Sequence, residues 1–333
     1  MIRVGVVGTR FGAQVHVPAF RADSRCVVAA IAGRDPERAR AAALALDVPA
    51  SHGDWRSLVA DPDIDAVSIA LPPREQPAVV IEAARLGKHV FCEKPLAATL
   101  LAAEEAFASA TRAGVVHAID FLFPEIPAWA RAKALLASGA IGRPRHFSYT
   151  WRIETYASRT GADSWKNRDE EGGGAVGNFL SHVIFNIEWL LDRVVGLDRV
   201  ARRGAVGAGA FCDCVAVLAG GMHGSIAIST DAYLGGGHEI RVFGDAGTLV
   251  LRNGTADYAS GFEVFVGTRQ SGCLEVDTPA LPQQGGDGRI SPVVLVVRRF
   301  LDAIERGGVM TPDLEDGVRV QQWLQRAAMS HVS

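Results

Sequence analysis

The sequence predicts an α/β chain in two parts: a parallel sheet flanked by helices, then an α+β part whose strands are mostly antiparallel. Three observations lead there. Over residues 1–121, short β-branched runs alternate with Ala- and Leu-rich helical stretches, the spacing of strand–helix units that build a parallel sheet. From about residue 197 to 278, the runs become strand-like segments joined by turn residues, with hardly a helical stretch among them. Finally, a glycine-bearing turn stands where the first strand meets the first helix.

Each element follows from its local pattern. Residues 4–7 read as a buried strand and 13–22 as the helix after it, followed by a strand at 27–32 and a helix at 36–46. A strand at 66–71, a helix at 77–86 ended by Gly87 and a strand at 89–92 come next. A helix at 100–113 ended by Gly114 and a strand at 115–121 complete the first part, 1–121. These apolar runs lack strict alternation, as expected of strands covered on both faces. In the second part, 122–333, a helix is expected at 129–138, a half-exposed strand at 146–153, a glycine-rich turn at 172–174 and an apolar helix at 179–191. Strands follow at 212–218, 224–230, 239–243 and 248–252, with Gly244 to Gly247 as a hairpin turn. Helices at 293–304 and 314–329 end the chain, and the Pro-, Gly- and Gln-rich stretch 279–289 reads as a mobile loop.

Composition narrows the function classes. The 333 residues carry a net charge of −3, and the basic clusters are pairs such as Arg202 with Arg203. Nucleic-acid binding needs a concentrated basic face, so it is not expected. No apolar run approaches the length of a membrane span, and the N-terminus lacks the regions of a signal peptide. A cytoplasmic protein with no membrane partner is therefore expected. The five cysteines form no CxxC pair, so neither a metal site nor a disulfide framework is expected.

The first turn reads Gly8-Thr9-Arg10-Phe11-Gly12-Ala13. A glycine there lets the backbone turn tightly and approach a pyrophosphate at the helix N-terminus. Against the dinucleotide-binding pattern G-x-G-x-x-G/A, Gly8 and Ala13 match and Arg10 replaces the middle glycine. Its position in a strand–helix series nevertheless identifies a Rossmann fold. Arg10 either points to solvent or meets a cofactor phosphate. The second strand ends in Gly33-Arg34-Asp35. A small residue followed by arginine leaves room for the 2′-phosphate of NADP, where NAD-binding chains place an acid. NADP is thus the expected cofactor, with NAD the other candidate; Asp35 reads as the N-cap of the next helix and Pro36 as its first residue.

Further motifs carry a family resemblance. Cys92-Glu93-Lys94-Pro95-Leu96 ends a strand, and Glu171-Gly172-Gly173-Gly174 precedes Asn178-Phe179-Leu180-Ser181-His182. With His16-Val17-Pro18-Ala19, Leu71-Pro72-Pro73, Gly87-Lys88-His89-Val90 and the 239–251 hairpin, these resemble the Gfo/Idh/MocA oxidoreductases over nearly the whole chain. The resemblance implies that the second domain carries a large, mostly antiparallel open sheet, used for contacts in a homodimer or homotetramer. It implies that Lys94 sits by the nicotinamide and the substrate hydroxyl, with Glu93 positioning it and the following proline often in a cis peptide. It also places Leu71, Pro72 and Gln76 near the cofactor, Gln76 standing where relatives often carry histidine. His182 takes the family's second catalytic position. Its usual aspartate partner is here Asn178, and the residue four beyond is Asn186. Neither can act as a base or favour imidazolium, so His182 is expected to be less basic and Lys94 to handle most of the proton transfer. Asp120, Trp165, Lys166 and Asn178 are further candidates for contact with a polar substrate.

The activity implied is hydride transfer between NADP and a carbonyl or hydroxyl carbon of a sugar, cyclitol or related small polar metabolite. Two alternatives remain: a non-catalytic NADP-binding regulator, and a glycosidase that uses nicotinamide for transient oxidation.

Overall fold

Residues 2–7, IRVGVV, start the chain as β1 (Ile2–Val7), whose last four residues are buried. Residues 1–162, 164–203, 211–255, 257, 259–276, 278–280 and 285–329 are described by this computed structural model. Of the expected mobile stretch 279–289, residues 281–284 lie outside the described residues.

After β1 the chain enters a wide π turn, Gly12–His16, that runs into α1 (Val17–Arg21). The single helix expected at 13–22 is thus split, with Pro18 in the first turn of α1, where a missing amide costs nothing. Then follow β2 (Cys26–Ala32), α2 (Pro36–Ala45), β3 (Ala50–His52), α3 (Trp55–Val59) and β4 (Ala66–Ile69). Next are α4 (Gln76–Arg85), β5 (His89–Cys92), α5 (Leu100–Ala113) and β6 (His117–Ile119). Asp35 caps α2 by accepting hydrogen bonds from the amides of Glu37 and Arg38, as its place before Pro36 predicts. The six strands pair in parallel in the order β3-β2-β1-β4-β5-β6. This order reverses between β1 and β4, the switch point beside which Rossmann sheets bind dinucleotides.

The second part begins with a 3₁₀ turn, Phe123–Glu125, and α6 (Pro127–Ala137), β7 (Pro144–Arg152) and α7 (Tyr156–Thr160). Two further 3₁₀ turns, Trp165–Asn167 and Asp169–Glu171, precede a π turn, Ala175–Leu180, and α8 (Ser181–Leu190). The remaining strands are β8 (Val194–Arg203), β9 (Phe211–Leu218), β10 (His223–Ser229), β11 (Gly237–Gly244), β12 (Gly247–Asn253), β13 (Glu263–Thr268) and β14 (Gly272–Val276). With β7 they form an eight-stranded sheet in the order β14-β13-β12-β11-β7-β10-β9-β8. Its pairs are antiparallel except β7 with β10, which run parallel. One face packs inward: Phe147, Tyr149 and Trp151 of β7 are buried beside Ile226 and Ile228 of β10 and Ile240 and Val242 of β11. Cys212 and Cys214 share the buried face of β9, and all five cysteines are free thiols.

Two helices close the chain, α9 (Ile290–Arg306) and α10 (Leu314–Met329). Phe300 of α9 meets Phe20 of α1 and Phe91 of β5 edge to face. The chain accordingly divides into two compact units, Met1–Leu122 with Gln283–Gln321, and Phe123–Pro282 with Gln322–Ser333. Among the described residues no helix is long and apolar enough to cross a membrane.

Candidate active site

In the first unit the carboxyl ends of β1, β4, β5 and β6 gather the predicted residues. Gly8 follows β1 with φ +137°, and a Cβ there would stand 2.5 Å from the carbonyl oxygen of Ala70. Only glycine fits this turn, and the bare backbone it leaves is the cradle that a pyrophosphate requires. Gly33, at the end of β2, is confined by Thr9, whose Cγ2 would lie 2.7 Å from an added Cβ. Ala13 is buried, Phe11 is half-buried, and Arg10 is exposed and makes no ion pair among the described residues. Leu71 and Pro72 are half-buried just beyond β4. Arg34 is 83% exposed, and its guanidinium lies 3.5 Å from the carboxylate of Glu75 at the start of α4.

Lys94 follows β5, with a cis peptide between it and Pro95. Three side chains hold this segment. Gln76, fully buried, donates from Nε2 to the carbonyls of Glu93 at 2.9 Å and Pro95 at 2.8 Å. The Glu93 carboxylate accepts the Lys94 amide at 3.1 Å through Oε2. Its other oxygen, Oε1, lies 3.1 Å from Nε2 of His16, whose Nδ1 is 2.8 Å from the Ser68 hydroxyl. An ionised carboxylate only accepts, so Nε2 carries a hydrogen; in the neutral ring Nδ1 then accepts from the Ser68 hydroxyl. Phe11 and Phe91 pack edge-on against the His16 ring.

Asp120 completes the group from β6. Cys92 of β5 pairs in register with Ile119 of β6, so Glu93 and Asp120 emerge side by side; the Asp120 amide donates to the Cys92 carbonyl at 2.8 Å. Asp120 is 1% exposed, and its Oδ2 lies 3.8 Å from Nε2 of His16. Burial, then the charge of Glu93, pushes the Asp120 carboxyl well above the ordinary carboxylate range. Burial also pushes Glu93 upward, but the hydrogen bond from His16 and the charge of Lys94 outweigh it and leave Glu93 lowered. Arg289, just before α9, lies over the Phe11 ring at 4.7 Å and adds positive charge near Asp120. Neither His16, Ser68 nor Arg289 is marked as a site residue by its local sequence. The resemblance included His16 in a motif without assigning it a task.

The second unit holds the other candidates. His182 is the second residue of α8 and is buried, its ring edge-on to Phe123 at 5.1 Å and tilted on Trp151 at 5.8 Å. Asn178 is half-buried on the π turn, so the four-residue spacing to His182 runs through a widened turn rather than a regular α-helix. Asn186 is occupied elsewhere: it donates to the Tyr149 hydroxyl at 3.1 Å, which itself lies 2.5 Å from Nε2 of His238. His238 stacks on Trp151 at 4.1 Å, and burial pushes its imidazole down to about 3, so it stays neutral. Trp165 is half-buried and Lys166 exposed on the 3₁₀ turn before the glycines. The Gly87-Lys88-His89 motif proves structural, since Lys88 Nζ donates to the carbonyls of Asp61 and Ile64 at 2.7 and 2.6 Å.

Comparison with known proteins identifies the family of this fold. Two family profiles match: an oxidoreductase family with an NAD-binding Rossmann fold over residues 2–121, and the Gfo/Idh/MocA C-terminal domain over residues 129–250. An uncharacterized oxidoreductase of Synechocystis sp. is 30% identical over 349 residues, spanning 99% of this chain and 94% of the relative. The levoglucosan dehydrogenase of Pseudarthrobacter phenanthrenivorans is 33% identical over 208 residues, 60% of this chain and 53% of that protein. Among solved structures, a levoglucosan dehydrogenase in complex with NADH and levoglucosan matches with a TM-score of 0.85 at 25% identity, covering 98% of this chain and 96% of that one. Two matching profiles, a relative aligned over nearly the whole of both chains and the glycine cradle beside Glu93-Lys94-Pro95 lead to one conclusion: the chain belongs to the Gfo/Idh/MocA family and is an NAD(P)-dependent oxidoreductase.

Proposed function

We propose that this oxidoreductase uses NADP to move a hydride to or from a carbonyl or hydroxyl carbon of a sugar, cyclitol or related small polar metabolite. The observation that carries this reading is the clamp on the lysine segment. Gln76 and Glu93 fix the backbone around Lys94 at the carboxyl end of β5, the edge at which sheets of this order bind their ligands. A dinucleotide fits the cradle at Gly8 and Gly33, where side chains would collide with Ala70 and Thr9. When bound, its nicotinamide supplies or accepts the hydride. Lys94 takes the substrate hydroxyl proton during oxidation, and as an ammonium polarises the carbonyl during reduction. His182 is the second proton-handling group, and Asn178 orients it without supplying charge. Trp165 and Lys166 are assigned to contact with the polar substrate. The preference for a sugar or a cyclitol draws on relatives named for levoglucosan.

NADP is chosen because Gly33-Arg34 offers space and a cation where a 2′-phosphate would lie. NAD is the second reading, favoured by the relative that holds NADH and by the carboxylate of Glu75 beside Arg34. Assembly as a homodimer or homotetramer is proposed from the extent of the eight-stranded sheet. The test is a stoichiometric one. Purified protein is incubated with NADP⁺ and a panel of sugars, anhydrosugars, cyclitols and glycosides, and reduced nucleotide and product are counted. One reduced nucleotide per oxidised substrate is expected. Release of free sugar from glycosides with no net reduction would make the chain a glycosidase. Tight nucleotide binding with no turnover on any substrate would make it a regulator.

A further inference from the structure

We infer that Asp120 is the proton-holding partner of Glu93: the two carboxyl groups share one proton at the ends of β5 and β6, and this sets the charge beside Lys94. The geometry begins with the sheet. Parallel register between Cys92 and Ile119 forces residues 93 and 120 to leave their strands as neighbours. His16 faces both, with Nε2 3.1 Å from Glu93 and 3.8 Å from Asp120. One donor atom from each of the three lies within 4.8 Å of the others. Two buried carboxylates this close cannot both ionise cheaply, because their repulsion is felt in a medium of low dielectric.

Which of them keeps the proton follows from their partners. Glu93 accepts two hydrogen bonds, from the His16 ring and the Lys94 amide, and both favour its ionised form. Neither oxygen of Asp120 accepts a hydrogen bond from an N–H or hydroxyl donor among the described residues, although the side chain is almost wholly buried; the group it bonds with is the Glu93 carboxyl. An ionised carboxylate there would be stranded, whereas a protonated carboxyl is a donor with an acceptor, Glu93, beside it. Nε2 of His16 donates to Glu93, which only accepts, while Nδ1 faces the Ser68 hydroxyl, so the nearer ring nitrogen is already engaged away from Asp120.

The titratable groups that face Asp120 are His16 from the first helical turn, Glu93 and Lys94 from the end of β5, and Arg289 from the segment before α9. With one shared proton the carboxyl pair carries a single negative charge, matched by the Lys94 ammonium. With none it carries two, and Lys94 holds its proton more tightly, so less of it stands as the free amine that can take the substrate proton. Asp120 is therefore a positioning residue that acts on Lys94 through Glu93. The consequence for catalysis rests on the role of Lys94 proposed above; the shared proton itself does not.

The experiment is an infrared titration of the whole protein without substrate, so that it stays independent of the activity. At neutral pH the carbonyl stretch of a buried, protonated carboxylic acid is expected. It should shift when aspartate carboxyls carry heavy carbon, stay put when glutamate carboxyls do, and vanish in Asp120→Asn. As pH rises it should titrate away, and the substrate-oxidation rate should decline with it in the wild type but not in Asp120→Asn. Absence of the stretch at neutral pH overturns the proposal. A shift with labelled glutamate instead of aspartate does the same without needing any variant to fold.

Discussion

Replacing Arg34 with alanine tests the assignment of the 2′-phosphate, and its size can be worked out. The guanidinium is 83% exposed at the end of β2, and its only ion pair among the described residues is with Glu75 at 3.5 Å. An exposed pair of this kind contributes about 0–1 kcal/mol, so the substitution should leave thermal stability nearly unchanged. A charge-assisted hydrogen bond to phosphate contributes about 1.5–3 kcal/mol. Its loss should weaken NADPH binding by roughly 10- to 100-fold while leaving NADH untouched. Glu75 acts in the opposite sense, since its carboxylate competes with the phosphate for Arg34. Glu75→Gln should therefore strengthen NADPH binding by about 2- to 5-fold, the equivalent of an exposed charge pair. Fluorescence titration of both nucleotides against the wild type and the two variants measures all of this. An unchanged NADPH-to-NADH ratio in Arg34→Ala, or weaker NADPH binding in Glu75→Gln, would refute the reasoning.

Other perturbations have equally definite outcomes. Gly8→Ala forces a side chain onto φ +137° and into the Ala70 carbonyl; it should destabilise the protein by about 1–3 kcal/mol and abolish nucleotide binding, read by thermal unfolding with and without NADPH. Because the folded-state pKa of Asp120 is raised, the stability it contributes is fully present below its unfolded value and is lost as pH rises toward the folded one. Asp120→Asn should thus gain on the wild type as pH climbs from 4 toward neutrality, by up to about 1.4 kcal/mol per pH unit; a gap that stays constant in melting curves across that range contradicts this. Tyr149→Phe strands the Asn186 amide and Nε2 of His238 in the core, and should cost roughly 2–4 kcal/mol in urea unfolding with nucleotide binding intact.

The parallel half was legible because short apolar runs alternate regularly with helical stretches, two of them closed by Gly87 and Gly114. Where an element is too short to show a pattern, it was missed: Ala50–His52 and Trp55–Val59 fall below the length at which periodicity speaks. In the second half, Val194–Arg203, Glu263–Thr268 and Gly272–Val276 were not singled out, although the 239–251 hairpin was, through its Gly244 to Gly247 turn. That β10 pairs in parallel with β7 is a matter of partner choice, on which local patterning is silent. The π turn at 12–16 sits at the start of the helix expected at 13–22, the one at 175–180 runs into the start of the helix expected at 179–191, and both carry candidate site residues. Motifs exposed the glycine turn and Glu93-Lys94-Pro95, because their chemistry is local. The His16–Glu93–Asp120 group was illegible for the opposite reason: its members lie 77 and 27 positions apart and meet only through strand order and register. Gln76 was expected near the cofactor, and what it visibly does is hold the backbone that bears Lys94.

The most direct test of hydride transfer assisted by Lys94 is a comparison of wild type and Lys94→Ala on the substrate that the panel identifies. With nucleotide affinity measured separately, kcat/KM should fall by about 10²- to 10⁴-fold, the contribution of a positioned acid–base group, while NADPH binding changes little. Turnover by Lys94→Ala at the wild-type rate would contradict the assignment and move the proton chemistry to another residue.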